Sequence, residues 1–357
     1  MIDVLDYLST FNTEFSPYLV KYLDTKLVQY SDVSPNVSRM LKNIKEFTMR
    51  GGKRLRPALL NCVYVLLGGE DREAVMELSV FMELLQSYLL IHDDIFDEAD
   101  LRRGDDTFHK IYEKVYRNHE KSNRQAIGNT MAILGGDISS QLVFDIIMNS
   151  RFSDSVKNRV VSIVTSYTNL VFFGQIDDYC LSLTGDYSEQ DVLNIHKNKT
   201  CTYTTEVPVL VACTLVDVVR DNKTKDYLLN YATNIGMAFQ IRDDILGVFG
   251  KENKTGKSSI SDIKEGKKTL LTWWVHNNAS ITQIDRFNEI LGKKNLTDHD
   301  VDDFKNITID TGALKHSKKR IENHIESAKN SLKKVRGNGY EMEFLYSLAD
   351  FILVREY

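Results

Sequence analysis

The chain has 357 residues, of which 42% are apolar and 27% charged, and its net charge at pH 7 is −5. A negative balance of mixed charges argues against a general nucleic-acid surface, so we expect no nucleic-acid partner. The four cysteines are scattered without a CxxC spacing, which indicates reduced thiols and neither a disulfide framework nor a zinc site.

The first residues include Asp3, Asp6 and Glu14 and no arginine, a composition that is not typical of a signal or transit peptide. The longest apolar stretch, residues 80–91, is interrupted by Glu83 and Gln86 and is shorter than a bilayer span. We therefore expect a soluble cytoplasmic protein without stable membrane insertion, with an organelle as the alternative compartment.

Apolar residues recur at intervals of three and four, and alternating strand patterns are nearly absent. The spacing predicts helices at residues 38–49, 55–67, 73–98, 127–148, 155–183, 189–219, 224–249 and 318–335. Loops are expected at 31–36, 68–71, 117–125, 184–188 and 251–268, and the polar region 276–310 allows no prediction. Because no linker marks a boundary, we predict that residues 1–357 form one all-α domain of long packed helices.

The first chemical motif, LLIHDDIFDEADLRRG (89–104), lies at the end of an apolar helix. Gln86, Leu89, Asp93 and Asp97 share one helical face, so a polar end follows an apolar wall. Asp93 and Asp97 can share one or two Mg²⁺ ions, which prefer hard oxygen ligands, with Asp94 in support. The plain alternative is an acidic helix end with solvated charges.

A second aspartate pair, Asp243 and Asp244 in FQIRDDILGVFG (239–250), lies 150 residues further along. Gln240 and Gly247 share the helical face of Asp243. Other segments supply polar residues that could act with this pair: Gln175, Asp178, Lys199, Thr200, Lys257, Asp262, Lys267 and Lys268. Singly, each is more typical of a solvated side chain. Together they would bind a metal, neutralise phosphate charge and orient an organic group.

The segment GGKRLRP (51–57) predicts an anion site. Its glycines permit close approach of a ligand to the backbone, and Lys53, Arg54 and Arg56 stand at a helix start. Three cations there oppose the helix dipole unless an anion is present; a basic surface cap is the alternative. Arg102 and Arg103, directly after the first aspartate motif, suit bidentate contacts to a diphosphate.

These motifs, in this order, resemble those of the trans-isoprenyl diphosphate synthases, the family of farnesyl and geranylgeranyl diphosphate synthases. The resemblance covers about residues 45–275 and rests on GGKRLRP, Gln86, DDIFD, RRG, GQIDD, Lys199 with Thr200, FQIRDD and SDIKEGKKT. It implies about ten core helices around a deep cavity (the type I isoprenoid synthase fold), a homodimer, and three Mg²⁺ ions between the aspartate motifs and an allylic diphosphate.

The resemblance also implies roles for single residues. The Mg²⁺ ligands are Asp93, Asp97 and Asp243, with Asp94 and Asp244 beside them. The allylic diphosphate is held by Arg102, Lys199, Lys257 and Lys267. Isopentenyl diphosphate is held by Gly52, Lys53, Arg56, Gln86 and Arg103, with Arg355 near the C-terminus. Thr200, Tyr203 and Gln240 line the reacting centre. Two departures stand out: Gly247 replaces the third aspartate of the second motif, and Asp106 replaces the proline that usually follows RRG.

The activity that the resemblance implies is Mg²⁺-dependent transfer of an allylic group from dimethylallyl, geranyl or farnesyl diphosphate to isopentenyl diphosphate. Tyr88 and Leu89, about one turn before Asp93, would form the floor of the product tunnel. Short-chain farnesyl diphosphate synthases of this family have two phenylalanines at these positions. One aromatic residue and a leucine leave a deeper tunnel than two phenylalanines do. We therefore expect geranylgeranyl diphosphate as the product, with farnesyl diphosphate second.

Other functions remain open on the sequence. A strict farnesyl diphosphate synthase differs only in product length. A terpene cyclase or head-to-head synthase would not need GGKRLRP for a second diphosphate. A silent subunit of a heteromeric synthase should lack the metal-binding aspartates, which this chain keeps. A generic helical interaction protein would not need this ordered set of charged motifs.

Overall fold

The structure, a computed structural model, describes residues 2–183, 185–216, 222–250, 260–337 and 339–355. In these ranges the regular elements are helices, apart from one short hairpin, and the all-α prediction is confirmed. In chain order the elements are α1 (Val4–Gln29), α2 (Pro35–Met49), α3 (Leu55–Leu66), α4 (Arg72–Phe96), β1 (Leu101–Arg102), β2 (Asp105–Asp106), α5 (Phe108–Val115), α6 (Lys121–Met148), α7 (Asp154–Leu183), α8 (Glu189–Ile195), a π-helical segment (His196–Glu206), α9 (Val207–Leu215), α10 (Asn222–Phe249), α11 (Ser261–Glu265), α12 (Leu270–Asn278), α13 (Ile281–Ile290), α14 (Asp298–Asp310), α15 (Ala313–Leu332) and α16 (Tyr340–Val354).

Each helix predicted from apolar spacing is present, although the bounds differ by a few residues. The predicted helix at 189–219 is three elements, because a π-helical segment separates α8 from α9. The expected loop at 251–268 contains α11, and its residues 251–259 lie outside the described ranges. Helices α1, α5, α12 and α16 were not predicted.

The polar region 276–310 contains α13, α14 and the end of α12. Reciprocal capping boxes start α13 at Ser280 and α14 at Thr297, where side chain and backbone satisfy each other's hydrogen bonds. The two helices bury Phe287 against Phe304, with ring centroids 4.3 Å apart. Caps and one aromatic pair thus form helices that apolar periodicity did not reveal.

The described chain divides into two compact units. The first comprises Leu5–Ser162 with Thr214–Val216 and contains α4 packed against α3, α5 and α6. A buried cluster that includes Ile44, Phe47, Ile91 and Phe108 is formed by residues of α2, α4, α5 and α6. We call this the first unit; it fixes the helix that carries the first aspartate motif.

The rest of the described chain, namely the residues up to Val4 and those from Ile163 onward apart from Thr214–Val216, forms the second unit. Its centre is α10, which packs against the π-helical segment, α15 and α16. The buried hydroxyl of Tyr231 on α10 donates a 2.8 Å hydrogen bond to the carbonyl of Leu345 on α16. This unit fixes the helix that carries the second aspartate pair. The expectation of one domain over 1–357 stays a prediction.

Among the described residues, two helices are long and apolar enough to cross a membrane by length and composition, namely α4 and residues 123–148 of α6. Of those apolar stretches, 67% and 44% are buried in the protein. Buried core helices of water-soluble proteins satisfy the same criterion. The four cysteines carry no disulfide: Cys62, Cys201 and Cys213 are buried, and Cys180 on α7 is exposed.

Candidate active site

The first aspartate motif occupies the C-terminal end of α4. Asp93 and Asp94 lie in its last turn, and Asp97 caps it, with the Asp97 N–H donating a 2.9 Å hydrogen bond to the carbonyl of Asp93. Asp94 is fully buried, the Asp93 side chain is partly exposed, and Asp97 is exposed. The two carboxylates predicted as metal ligands are therefore the accessible ones.

Arg102 lies against this helix end. Its Nε and Nη2 atoms are each 2.5 Å from Oδ1 of Asp94, and Nη2 is 3.5 Å from Oδ2 of Asp93. Burial disfavours the charged guanidinium, but the carboxylates of Asp94, Asp93 and Asp97 outweigh it and raise the pKa of Arg102 above its ordinary value. In this state Arg102 neutralises the motif from within the protein.

The RRG sequence forms a two-residue hairpin turn. Leu101 and Arg102 pair with Asp106 and Asp105, and Arg103 and Gly104 between them have φ of 56° and 84°. Positive φ at both central residues is the pattern of a type I′ turn, which suits right-twisted strands. The turn places Arg103 at the hairpin tip.

Arg103 joins two motifs that lie fifty residues apart in the chain. Its guanidinium donates to the carbonyl of Arg50 and, at 2.8 Å, to that of Gly51. A Cβ added to Gly52, whose φ is 107°, would lie 3.2 Å from this guanidinium. The left-handed backbone conformation favours glycine at position 52, and any side chain there would have to displace the Arg103 guanidinium by a few tenths of an ångström. The prediction that Gly52 and Arg103 serve one site is consistent with this geometry.

A cavity opens beside Arg103. It is lined by Phe47, Thr48, Arg50, Glu83, Gln86, Ser87, Leu90, Arg102 and Arg103. Gln86 was predicted for this site, but Arg50 was not. The position of Arg50 directly before Gly51 and Gly52 was the available signal that it belongs to the same site. Burial lowers the pKa of Arg103, and the neighbouring arginines lower it further, while Glu83 raises it. Such crowding of like charges favours binding of an anion.

Arg54 in GGKRLRP has a structural role that sequence reasoning missed. It precedes α3 with φ of 50° and pairs with Glu83 of α4; both side chains are almost fully buried. It also donates a 3.1 Å hydrogen bond to the carbonyl of Thr48. Glu83 therefore supplies part of the negative charge that the basic helix start demands. Lys53 and Arg56, on either side of Arg54, are half-buried.

Tyr88 and Leu89, the predicted tunnel floor, are half-buried on α4. The Tyr88 ring meets the His92 ring edge to face, with centroids 5.1 Å apart. A Cβ at Gly136 of α6 would lie 2.2 Å from His92 Nε2, so this glycine lets α6 approach α4 closely. The space below the first motif thus depends on a glycine as well as on the two residues that sequence analysis selected.

In the second unit, Asp243 and Asp244 differ sharply in environment. The Asp243 side chain is 44% exposed, with Arg355 Nη2 3.7 Å from its Oδ1 atom. Asp244 is buried, and its carboxylate is bound by Gln240 at 2.8 Å, Lys267 at 3.0 Å and His196 at 2.8 Å. Burial would raise the pKa of Asp244, but the positive partners hold it well below its ordinary value.

Lys267 is the predicted lysine that the structure brings to this pair. Burial acts against its charge, but Asp244, Asp262 and other aspartates raise its pKa well above the ordinary value. His196 was not predicted as a site residue. Its spacing of three residues from Lys199 was an available signal, because residues three apart lie next to each other on the surface of a helix. Arg355 was assigned to isopentenyl diphosphate, but in this structure it lies beside Asp243 and over the Phe239 ring at 4.6 Å.

The π-helical segment carries Lys199 and Thr200. Lys199 Nζ donates a 2.7 Å hydrogen bond to Asp178 of α7. Two glycines make room for the segment: a Cβ at Gly174 of α7 would lie 2.5 Å from the Lys199 backbone nitrogen, and one at Gly236 of α10 would lie 2.4 Å from the sulfur of Cys201. π-Helical turns are frequent at functional sites.

Four further residues singled out from the sequence are Thr200, Tyr203, Lys257 and Asp106. Thr200 and Tyr203 are half-buried on the π-helical segment. Lys257 lies outside the described residues. Asp106, which departs from the family pattern, accepts 2.5 and 2.7 Å hydrogen bonds from Lys114, and its carbonyl accepts from Arg50. The hairpin therefore tolerates an aspartate where a proline is usual.

The carboxylate oxygen atoms of each aspartate pair suit Mg²⁺. In the described ranges, no group of three or more His, Cys, Asp or Glu side chains could hold a metal ion by itself. Mg²⁺ usually takes only one or two protein carboxylates and fills its other positions with water and phosphate oxygens. Each aspartate pair already has cations as neighbours, namely Arg102 for the first and Lys267 and Arg355 for the second. The donor set and its affinity for positive charge both fit a hydrated divalent ion.

Comparisons with known proteins identify the class of this protein. A profile of the polyprenyl synthetase family matches residues 37–308. A geranylfarnesyl diphosphate synthase of Aeropyrum pernix is 30% identical over 338 residues, covering 93% of this chain and 99% of that protein. A short chain isoprenyl diphosphate synthase of Methanocaldococcus jannaschii is 32% identical over 289 residues, 80% of each chain.

Solved structures of prenyl synthases are similar to this chain along its whole length. Geranylgeranyl pyrophosphate synthase from Corynebacterium glutamicum, complexed with isoprenyl diphosphate and magnesium, superposes with a TM-score of 0.91 at 27% identity, covering 99% of this chain and 100% of that one. The chain belongs to the polyprenyl synthetase family. It is a transferase that carries out prenyl transfer, as the motif resemblance implies.

Proposed function

We propose that the chain condenses isopentenyl diphosphate with dimethylallyl, geranyl and farnesyl diphosphates to make geranylgeranyl diphosphate, with farnesyl diphosphate as the second product. The observation that carries this proposal is the cavity at the hairpin tip. Arg50, Arg102, Arg103 and Gln86 are among the residues that line it. A terpene cyclase, which takes one diphosphate, does not need this arginine-rich cavity in addition to two aspartate motifs.

In the proposed reaction, isopentenyl diphosphate binds among Gly52, Lys53, Arg56, Gln86 and Arg103. The unforeseen Arg50 adds a guanidinium to the same cavity. The allylic diphosphate is bound by Arg102, Lys199, Lys257 and Lys267. Guanidinium groups hold diphosphate oxygens in paired hydrogen bonds, and lysines contribute compact charge.

Mg²⁺ would be held by Asp93, Asp97 and Asp243, three ions in all, with Asp94 and Asp244 adjacent. When bound, it neutralises the charge of the departing diphosphate. The fit rests on the exposure of these three carboxylates and on their hard oxygens. Burial of Asp94 and Asp244 assigns them another task, since they anchor Arg102 and Lys267, respectively.

The proposed reaction needs no nucleophilic side chain. The allylic C–O bond breaks to leave a carbocation and inorganic diphosphate. The double bond of isopentenyl diphosphate then forms the new C–C bond, and the loss of a proton to the departed diphosphate forms the new double bond. The protein positions both substrates, stabilises the leaving group and excludes water. Thr200, Tyr203 and Gln240 would line the reacting carbon atoms.

Product length is proposed from Tyr88 and Leu89. The related proteins include several geranylgeranyl diphosphate synthases and a farnesyl diphosphate synthase, which supports geranylgeranyl diphosphate as the product with farnesyl diphosphate second. A strict farnesyl diphosphate synthase is the second candidate, because Tyr88, whose ring packs against that of His92, is an aromatic residue at the proposed floor. A silent subunit is the more remote alternative.

We also propose a homodimer that is soluble in the cytoplasm. Helix α6 exposes Ile133, Leu134 and Met148, and α7 exposes Phe172, Phe173 and Ile176. Apolar patches of this kind on two helices mark surfaces for association. Sedimentation equilibrium of the purified chain tests the dimer, and a mass of 41.0 kDa at high protein concentration would contradict it.

One product analysis tests the proposed reaction. The purified chain is incubated with Mg²⁺, labelled isopentenyl diphosphate and each allylic starter, and the dephosphorylated products are separated by length. We expect chains of fifteen and twenty carbons, and no product when a chelator removes Mg²⁺. Failure to extend any starter would refute the proposal, and products formed without isopentenyl diphosphate would favour a cyclase.

A further inference from the structure

The hairpin that carries Arg103 lacks the proline that the family resemblance implies at position 106, where this chain has Asp106. A proline fixes its own φ at about −65° and removes conformational freedom from the segment around it. An aspartate gives no such restraint. Because Arg103 is exposed at the hairpin tip, its position depends on what else holds this hairpin.

Lys114 of α5 holds the side chain of Asp106. Its Nζ atom donates hydrogen bonds of 2.7 and 2.5 Å to the two carboxylate oxygens. Helix α5 is itself fixed in the first unit, because Phe108 and Tyr112 on it are almost completely buried. The carboxylate of Asp106 is therefore tied to a helix that is anchored in the hydrophobic core.

Arg50, the residue at which α2 ends, holds the backbone of Asp106. Its Nη1 atom donates a hydrogen bond to the carbonyl of Asp106, and its Nε atom lies 3.9 Å from Oδ2 of Asp105. The guanidinium also packs over the Phe47 ring, 5.6 Å from the ring centroid. The second strand of the hairpin is thus held from two helices, at its backbone by the end of α2 and at its side chain by α5.

The contact between the end of α2 and the hairpin is reciprocal. Arg50 donates to the carbonyl of Asp106, and Arg103 donates to the carbonyls of Arg50 and Gly51. A shift of Asp106 would therefore weaken both sets of hydrogen bonds and would move the Arg103 guanidinium relative to the cavity that it lines. Paired hydrogen bonds between a guanidinium and a diphosphate depend on that alignment.

The Lys114–Asp106 ion pair lies at the surface, with the two side chains 71% and 28% exposed. Such a pair contributes little to the stability of a whole fold. The stabilisation that it gives is nevertheless similar in size to that of a proline in a compatible backbone conformation. An ion pair can therefore take the place of the proline at this position.

We infer that Lys114 is a positioning residue for isopentenyl diphosphate. Together with Arg50 it holds Asp106, and through Asp106 it keeps Arg103 aligned for the substrate, as the proline would. The inference rests on the proposed function, in which Arg103 binds isopentenyl diphosphate. It predicts that Lys114 becomes dispensable once residue 106 is a proline.

Steady-state kinetics, with isopentenyl diphosphate and geranyl diphosphate varied in turn, tests this prediction. Lys114→Met should raise the KM for isopentenyl diphosphate about three- to fivefold, which is the range that an exposed ion pair can supply. It should leave kcat and the KM for geranyl diphosphate unchanged, because Arg102 is held separately by Asp94.

The rescue variant is Lys114→Met/Asp106→Pro. Its KM for isopentenyl diphosphate should equal that of the unaltered enzyme, because proline restores the restraint and keeps the carbonyl that Arg50 binds. Asp106→Pro alone should also leave this KM unchanged. Far-ultraviolet circular dichroism and the thermal midpoint confirm that each variant is folded.

The matched control is Lys114→Met/Asp106→Ala, which has neither the ion pair, nor the ring, nor the carboxylate charge, and should keep the raised KM. Recovery in this control would mean that the uncompensated carboxylate merely repels the substrate, and it would overturn the inference. An unchanged KM in Lys114→Met, or a raised KM in either proline variant, would overturn it equally. If the unaltered enzyme does not consume isopentenyl diphosphate, the proposed function itself fails, and the inference fails with it.

Discussion

Arg54 and Glu83 form an ion pair in which the two side chains are only 3% and 4% exposed. They come from the segment before α3 and from the middle of α4, and Arg54 takes a left-handed backbone conformation to make the contact. A non-glycine residue in that conformation costs on the order of 1 kcal/mol or more. The pair therefore holds the GGKRLRP segment in a shape that it would not adopt alone.

Glu83→Gln should destabilise the protein by about 3 kcal/mol or more, because it leaves a buried guanidinium without its counter-charge. Urea unfolding followed by tryptophan fluorescence or circular dichroism measures the change. The control is Glu77→Gln on the same helix, since Glu77 forms an exposed ion pair with Arg151; its cost should stay below about 1 kcal/mol. Equal costs for the two variants would contradict the structural role.

Asp93→Asn and Asp243→Asn should each lower kcat by about a hundredfold or more, because each removes a charge that stabilises the leaving group. Steady-state kinetics with saturating Mg²⁺ measures this, and circular dichroism checks the fold. Asp302→Asn, at an exposed position on α14, is the matched control and should leave kcat unchanged. Turnover near normal in either motif variant would refute the metal assignment.

Leu89→Phe should shift the product toward farnesyl diphosphate, because a second aromatic ring beside Tyr88 shortens the space below the first motif. Chromatography of the dephosphorylated products measures the ratio. Tyr88→Phe keeps the ring and removes only the hydroxyl, so its distribution should match that of the unaltered enzyme. The same distribution in all three proteins would mean that the floor lies elsewhere.

His324 should make stability fall with acid. Burial lowers its pKa to about 4, helped by Arg320 and His196, and its Nδ1 lies 2.9 Å from Oδ1 of Asn234. An unfolded histidine titrates near 6.5, so between pH 6.5 and about 4 the unfolded chain binds more protons and unfolding becomes easier as pH falls.

His324→Gln should remove this contribution. The unaltered protein should lose on the order of 2 kcal/mol more than the variant between pH 6.5 and 4.5. Urea titrations across that range give the difference. His299→Gln changes an exposed histidine (79% exposed) and should retain the slope of the unaltered protein. Parallel pH profiles for His324→Gln and the unaltered protein would show that His324 is not the group responsible.

Sequence reasoning recovered what depends on spacing within one helix. Asp93 and Asp97, four residues apart, could be placed on one face, and so could Gln240 and Asp243. It missed partners from distant segments. Glu83 looked like an interruption of an apolar stretch, and only tertiary packing shows that it faces Arg54.

The hairpin illustrates a further limit. The resemblance assigned Arg102 to the allylic diphosphate and Arg103 to isopentenyl diphosphate, but the partners of the two side chains within the protein could not be predicted. Arg102 turns inward to Asp94, whereas Arg103 turns to the carbonyls of Arg50 and Gly51. A type I′ turn of two residues sends consecutive side chains to different partners, and nothing in the charge pattern indicates which goes where.

Cys180 has no proposed role in the reaction, but its exposed thiol can be used for selective labelling. The chain's other three thiols are buried, and burial raises the pKa of Cys213 to about 11, so maleimide reagents should find Cys180 first. A fluorescent dye attached there would sit two residues from Asp178 on α7 without any engineered cysteine. Its rate of attachment in dilute and in concentrated samples would also report whether self-association shields that helix.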